Sequence, residues 1–382
     1  MESWTGKILG MTEAMDDSMA NICRPGDVLF GKLRPYLAKV IMATGTYRCT
    51  SEFLVLRSPC YFPNFLKYLL LSNVFIDLVN SSTYGVKMPR ASWDFIGDIR
   101  VPVPPIDVQR SIASFLDREI TKLDQLVEKK QRLIELLQEK RQALITQAVT
   151  KGLDPNVPMK DSGIPWLGEV PAHWDVMKMT HIFGGIGSGT TPDSSEPKYF
   201  DGDIPWVITG DLNDDELYRT SKCVTDSALR KYTSLKLYPP GTLLVAMYGA
   251  TIGKLAILRI SAATNQACCA LYNPSKVDTK FVFYWFMANR SHIVSLGVGG
   301  GQPNISQETI RNLRIGVPPL VEQANIIKYV ESLTGKIAKA IRKLESQIAL
   351  IKEYRQALIT AAVTGQIDVR QYCLDSVETA TP

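Results

Sequence analysis

Histidine is scarce in this 382-residue chain, which has three: His173, His181 and His292. None stands in an HxxxH or HxH spacing, so a histidine-built zinc centre has no scaffold. Seven cysteines are present without a CxxC pair. An odd count without paired spacing argues against a disulfide framework and for reduced thiols in a cytoplasmic protein. Adjacent Cys268 and Cys269 lie in an apolar run and read as small buried hydrophobes. Long apolar runs are missing too. The most apolar stretch, Phe65 to Val79, contains Lys67 and Asp77 and is too short to span a bilayer, so it predicts a buried helix. The beginning, with Asp16 and Asp17, lacks the basic and apolar regions of a signal peptide.

What is present is apolar material for real cores, 45% of residues, and a mild net charge of +5. Length suggests two or three domains. The charge permits a polyanionic partner without demanding one.

The chain repeats itself at an offset of about 214 residues. Arg141-Gln-Ala-Leu-Ile-Thr146 recurs as Arg355-Gln-Ala-Leu-Ile-Thr360, and a glycine follows each, Gly152 and Gly365. Val103-Pro-Pro-Ile106 matches Val317-Pro-Pro-Leu320, Gln109 matches Gln323, and Pro89, Ser92 and Arg100 match Pro303, Ser306 and Arg314. Gly26-Asp-Val-Leu-Phe aligns with Gly241-Thr-Leu-Leu-Val, which brings Lys39 onto Lys254. Each copy predicts a mixed α/β region, a Pro-Pro break and a long helix. Both helices keep one apolar seam in one register: Leu116, Leu123, Val127, Ile134, Leu137 and Leu144 in the first; Val330, Ile337, Ile341, Leu344, Ile348, Ile351 and Leu358 in the second. The 4-3 rhythm predicts coiled-coil packing, interrupted at Lys130 and Arg141. A 44-residue helix would extend ~66 Å and needs a partner, for which the other copy is the natural candidate. Arg141 and Arg355 occupy equivalent seam positions and read as snorkelling near a helix end, with a register-setting polar contact as the weaker reading.

A duplicated module can address two half-sites of a duplex, and because the copies differ the half-sites can differ. The segment Asp161-Ser-Gly-Ile-Pro-Trp-Leu-Gly-Glu-Val-Pro-Ala-His-Trp174 resembles the opening of a target recognition domain in the specificity subunits of type I restriction-modification enzymes. Gly184-Gly-Ile-Gly-Ser-Gly-Thr-Thr-Pro192, Gly202-Asp-Ile-Pro-Trp-Val-Ile-Thr-Gly-Asp-Leu212 and the paired Arg-Gln-Ala-Leu-Ile-Thr helices are similar to that family as well. The resemblance implies two α/β (α+β) target recognition domains separated by two long antiparallel coiled-coil helices, as an internal pseudo-two-fold repeat. It implies a non-catalytic DNA-binding subunit of a prokaryotic defence system, which reads a bipartite asymmetric site. Its implied partners are double-stranded DNA, two methyltransferase subunits and restriction/translocase subunits, with no membrane. S-adenosylmethionine, ATP and magnesium would be bound by those partners and not by this chain. The expected layout is a first recognition domain over 1–106, a helix over 107–150, a linker over 151–161, a second recognition domain over 162–319, a helix over 320–364 and a tail over 365–382.

DNA binding needs cations for phosphates and planar hydrogen-bonding groups for base edges. In the second copy Ser188, Thr190 and Thr191 lie on a glycine-rich loop whose amides and hydroxyls suit a phosphate. Tyr248, Thr251 and Lys254 surround flexible backbone, and Asn265, Gln266, Gln302 and Asn304 could read adenine edges. Buried structural amides are the competing reading for Asn265 and Gln266. The first copy offers Lys32, Arg34, Tyr36 and Lys39 in the equivalent stretch, with Lys87 and Arg90 further on; single surface charges of this kind are by default solvated.

Catalytic signatures do not appear. Gly249-x-x-x-Gly253-Lys254-Leu255 is one residue short of a phosphate loop and has leucine where magnesium needs a hydroxyl. Gly185-x-Gly187-x-Gly189 lacks the dinucleotide spacing. The Asp- or Asn-Pro-Pro-aromatic motif of a methyltransferase is absent. A self-contained methyltransferase and a coiled-coil scaffold without DNA are therefore the weaker readings. The first copy has no counterpart of the Trp166–Trp174 opening or of Gly202–Leu212, and Trp4 does not supply one. A late start, trimming, a rearranged or phase-variable allele with one working domain, and a naturally minimal domain each account for that.

Overall fold

The computed structural model describes residues 2–8, 10, 21–83, 85, 87–297 and 304–369. The chain opens with five short strands, β1 (Asn21–Cys23), β2 (Val28–Gly31), β3 (Val40–Met42), β4 (Tyr47–Cys49) and β5 (Phe53–Leu56). Three helices follow, α1 (Pro63–Leu71), α2 (Asn73–Ser81) and α3 (Trp93–Asp98), then the long α4 (Ile106–Lys151). Next come β6 (Met159–Asp161), β7 (Glu169–Pro171), β8 (Asp175–Lys178), α5 (Met179–Ile182), β9 (Phe183–Ser188), β10 (Phe200–Val207), β11 (Asp215–Leu217), β12 (Lys222–Val224) and α6 (Asp226–Lys231). The chain closes with β13 (Leu243–Ala246), β14 (Leu255–Leu258), β15 (Ala263–Thr264), β16 (Cys268–Pro274), α7 (Thr279–Ala288), α8 (Arg290–Ser295), α9 (Gln307–Asn312), β17 (Arg314–Val317) and the long α10 (Leu320–Val363).

Two compact units result, and they do not follow chain order. The first combines Met1–Ile134 with Arg342–Pro382, and the second is Glu135–Ile341. Each unit thus takes part of both long helices, where the sequence reading had assigned each helix a segment of its own.

In the first unit β2 lies between antiparallel β3 and β5, with Leu29 opposite both Ile41 and Val55. In the second unit β13 lies likewise between antiparallel β14 and β16, with Leu244 opposite Ala256 and Ala270. The turn leading into the central strand is the same in both. Gly26 (φ +88°) and Gly241 (φ +89°) adopt a backbone that favours glycine. Their N–H groups donate to Ala43 O at 2.9 Å and Leu258 O at 2.7 Å. The second sheet is wider, because β9 pairs with β16 and β11 runs parallel to β14. No strand takes the place of β9 beside β5 among the described residues. Burial follows: Cys268–Leu271 are all buried and Phe53–Leu56 all half-buried.

The apolar run 65–79 departs from the single helix expected. It forms α1 and α2, broken at Ser72. That hydroxyl donates to Leu69 O at 2.7 Å and accepts from Phe75 N at 3.4 Å, ending one helix and capping the next. α1 buries Phe65, Leu66 and Leu69–Leu71 and α2 buries Phe75, Ile76 and Val79 in the first core with Ile112, Leu116, Leu358 and Ile359, while Val74 and Leu78 of α2 stay exposed.

α4 and α10 are continuous and pack antiparallel. Within the first unit Lys130 Nζ donates to Gln347 Oε1 at 2.8 Å, and Asp124 lies 3.4 Å from Arg355. Within the second, Ile145, Ala148 and Val149 share a core with Ile326, Ile327 and Val330. Leu116, Ile134, Val330, Ile337, Ile341, Ile348 and Leu358 are buried. Leu123, Val127, Leu137, Leu144, Leu344 and Ile351 are half-buried, so no seam residue faces open solvent. The snorkelling reading of Arg355 is corrected. The residue is 7% exposed and donates to Trp4 O at 2.6 Å and Thr5 O at 3.0 Å. Backbone carbonyls of residues 4 and 5 lie against the seam there and need a donor. Arg141 is half-buried and lines a cavity of the second unit with Asp214, Asp215, Glu216 and Glu331.

One glutamine locks each globular part to its long helix. Gln109 accepts from Phe62 N at 2.7 Å and donates to Cys60 O and Pro104 O, both at 2.9 Å. Gln323 accepts from Asp278 N at 2.7 Å and donates to Lys276 O at 3.0 Å and Pro318 O at 2.8 Å. Both residues are buried, at 1% and 0% exposure. The Pro-Pro corner leaves a carbonyl without a helical partner, and the first turn of α1 or α7 leaves an N–H; the amide satisfies both at once.

Glu216 is the main acidic anchor of the second unit. It bonds Arg259, accepts from Tyr218 Oη at 2.5 Å and lies 3.3 Å from Lys280 Nζ. Arg259 foremost, then Tyr218, hold its carboxyl at about 2. A depressed folded value stabilises the fold above the ordinary carboxylate pKa and is lost as pH falls through the folded one. Acid titration of stability should therefore be shallower between about pH 4.5 and 2 in Glu216→Gln than in wild type. Identical slopes in urea midpoints over that window would refute the anchor.

Candidate nucleic-acid interface

In the second unit, β13 ends at a surface where four chain segments meet. Met247 N donates to Ala267 O at 2.8 Å, and Ile305 N donates to Met247 O at 2.9 Å. Tyr248 bridges Asn304. Next to the 264–267 turn lies the glycine-rich loop, where Gly189 N donates to Thr264 Oγ1 at 3.0 Å and Thr191 Oγ1 donates to Gln266 Oε1 at 2.6 Å. Ser188, Thr190, Thr191, Asn265, Gln266, Tyr248 and Asn304 thus form one strip, although they come from four distant stretches of chain. A short 3-10 turn, Gly249–Thr251, carries Thr251, whose hydroxyl donates to Tyr248 O at 3.3 Å. Lys254 follows it and makes no ion pair among the described residues. Gln302 lies outside the described residues.

Several of these groups already have work to do. Asn265 Oδ1 accepts from Ala267 N at 3.1 Å, so its carbonyl shapes the turn and its amide NH2 remains for a ligand. Gln266 is exposed and spends its oxygen on Thr191. The loop is less free than its sequence suggests, because the Gly189 N–H and the Thr191 hydroxyl are both used internally. Ser188 Oγ donates to Gln307 Oε1 at 3.3 Å, and Thr190 O accepts from Trp206 Nε1 at 3.3 Å.

The first unit builds the equivalent corner. Lys32 N donates to Glu52 O at 2.8 Å, and Ala91 N donates to Lys32 O at 3.0 Å. Leu33 bridges Arg90 as Tyr248 bridges Asn304. A 3-10 turn, Pro35–Leu37, carries the exposed Tyr36 between Arg34 (φ +52°) and Ala38 (φ +45°). Glycines stand at the two matching positions of the second unit, Gly249 (φ +69°) and Gly253 (φ +76°). Arg34 is therefore held in a strained left-handed backbone, with its Nε buried and unpaired. Lys32, Arg34, Tyr36 and Lys39 gather around this turn, and Lys87 is exposed nearby in sequence to Arg90. Lys32, Lys39 and Lys87 make no ion pair among the described residues, whereas Arg90 pairs with Glu52 at 2.7 Å and offers less free charge.

Sequence reading missed Gln307, Arg311, Trp206 and Glu52. Gln307 and Arg311 act on partners more than 100 residues away, as Arg311 does on Ile186 O at 2.6 Å, so no local spacing announces them. Burial holds the Cys268 and Cys269 thiols up at about 12, which agrees with inert packing. No group of three or more His, Cys, Asp or Glu side chains could hold a metal among the described residues, and no described helix is long and apolar enough to cross a membrane.

Residues 12–136 and 171–352 match the family described as "Type I restriction modification DNA specificity domain". The MjaIX type I restriction enzyme specificity subunit of Methanocaldococcus jannaschii is 30% identical over 192 residues, covering 48% of this chain and 44% of that one, less than half its length. A chain solved in a study of complex assembly and conformational transition of the type I R-M system superposes with a TM-score of 0.76 at 19% identity, over 95% of this chain and 89% of that chain. The HsdS subunit of Thermoanaerobacter tengcongensis gives 0.57 at 19% identity, over 96% and 88%. These two likenesses bear on the fold, with its two recognition units and paired long helices. The two matched stretches take in most of the sequence and fall on the two copies of the repeat, and on that ground the chain belongs to the type I restriction-modification DNA specificity family.

Proposed function

We propose that this chain is the DNA-reading subunit of a type I restriction-modification assembly and recognises a bipartite, asymmetric site. The observation that carries this is the repeated corner: Leu33 with Arg90 in one unit and Tyr248 with Asn304 in the other. Each unit presents cationic and hydrogen-bonding side chains at the equivalent place on its own sheet, with different residues. Equal placement suits two contacts with one duplex, and unequal residues suit two different half-sites. The 16 candidate contacts, Gln302 among them, remain proposals, as do the domain limits drawn along the sequence.

The chain is read as non-catalytic. Two methyltransferase subunits would supply adenine methylation with S-adenosylmethionine, and restriction/translocase subunits would use ATP and magnesium. Exposed apolar side chains on the helix pair of the first unit, Leu126, Leu133, Leu350 and Tyr354, offer a surface for such partners. A cytoplasmic location follows from that role. The deciding experiment is base-resolution mapping of methylated adenine in cells with and without this gene. Loss of one two-part motif is the expected result. An unchanged methylome in cells that express the chain and its partners would sink the proposal.

A further inference from the structure

A groove of about 460 Å³ runs along β9 in the second unit, and its charge is of one sign. Lys236 and Arg311 line it, and no Asp or Glu does among the described residues. The cavity beside Arg141 in the same unit is the opposite case, with Asp214, Asp215, Glu216 and Glu331 against Arg141 and Lys280. The acids of that cavity are largely paired, Asp214 with Arg290 and Glu216 with Arg259 and Lys280, whereas the groove offers a polyanion only cations.

We propose that the groove along β9 holds the sugar–phosphate backbone of DNA, with Lys236 and Arg311 as the phosphate-binding cations. The inference rests on the DNA-reading function above and assigns a backbone groove and two phosphate-binding cations, Lys236 and Arg311, that are not among its candidate contacts. Arg311 donates one N–H to Ile186 O at 2.6 Å. That bond orients the guanidinium without neutralising it, so its remaining donors stay available. Lys236 is exposed and makes no ion pair among the described residues. Ser234 adds a hydroxyl to the lining, while that of Ser188 is given to Gln307. The Tyr272 ring lies directly over Gly185, where a Cβ would come within 2.1 Å of it, so at that point the wall is the ring packed on bare backbone. β9 is also the outermost strand of its sheet, which leaves backbone N–H groups without a neighbouring strand. The groove ends at Ser188, where the strip with Thr190, Thr191 and Gln266 begins. One DNA strand could lie in the groove while its bases reach the strip, as positioning and reading contacts usually divide.

The test measures affinity of the full chain for a mixed-sequence duplex over a salt series. Wild type is compared with Lys236→Gln and with Lys276→Gln, an exposed lysine of the same unit outside the groove. Loss of one phosphate contact should lower the salt slope by about 0.9 in Lys236→Gln and leave Lys276→Gln unchanged. Ser234→Asp, which puts a carboxylate into the groove, should weaken binding several-fold. Both altered positions are exposed, and unchanged thermal unfolding shows that the fold is kept. If wild type binds with a steep salt dependence while Lys236→Gln matches Lys276→Gln and Ser234→Asp binds normally, the groove assignment is overturned and the DNA-reading function stands. If wild type has no salt-sensitive duplex affinity, both fall.

Discussion

Gln323→Ala should lower the stability of the second unit by about 2–4 kcal/mol, the largest effect of any single polar substitution argued from this structure. Alanine removes one acceptor and two donors at once. The Asp278 N–H and the carbonyls of Lys276 and Pro318 lose their partner, and Gln323 itself is 0% exposed. Each unsatisfied group costs about 1–3 kcal/mol where water cannot replace the bond, and partial access at the Lys276 and Asp278 backbone keeps the total below the simple sum. Gln323→Glu is a sharper probe. It keeps the shape and the acceptor but loses both N–H donors and buries a charge, so it should be at least as damaging. Gln109→Ala should do the same to the first unit. The measurement is the urea midpoint at constant slope, with hydrogen exchange at the N-terminus of α7 to localise the loosening. A loss under about 1 kcal/mol, with α7 protection intact, would show that the clamp is redundant.

That clamp also marks what could be read in advance. Gln109 and Gln323 are legible as a matched pair because they stand at one distance from a repeated Pro-Pro, and such matches register without any knowledge of contacts. The seam of α4 and α10 is legible for a similar reason, since burial on a helix writes a period into the sequence. Other features write nothing. The break at Ser72 turns on one hydroxyl inside an apolar run that periodicity reads as continuous. Arg355 is held by the carbonyls of Trp4 and Thr5, and a carbonyl has no residue identity to recognise. Thr191 and Gln266 were each selected as candidates, but their bond spans 75 residues, so their joint placement belongs to the tertiary fold. The groove cations Lys236 and Arg311 stand 75 residues apart in the chain, and only the fold brings them to one groove whose described lining has no carboxylate.

Gly189→Ala should separate reading from sticking. A Cβ on Gly189 would lie 1.7 Å from the Thr264 carbonyl oxygen and 2.9 Å from its Oγ1. The first obstacle is backbone and buried, so it cannot step aside. The loop must move instead, which breaks the Gly189 N–H bond to Thr264 and carries Thr190 and Thr191 away from Gln266. If this strip contacts base edges, losing it should cost about 2–4 kcal/mol of specific binding, roughly 30- to 1000-fold in Kd. Non-specific affinity and its salt slope should stay close to wild type, because Lys254, Lys236 and Arg311 are untouched. Gly210→Ala is the matched control: its nearest neighbour would be a side-chain atom of Ile208 at 4.0 Å, an ordinary contact. Competition between the methylated-motif duplex and a scrambled duplex reads both quantities in one experiment. A Gly189→Ala chain that still prefers its motif by the wild-type ratio would remove the 188–191 loop from the reading surface. A chain that loses specific and non-specific binding together would show instead that the loop supports the whole unit, which the Gly210→Ala control and thermal unfolding would then locate.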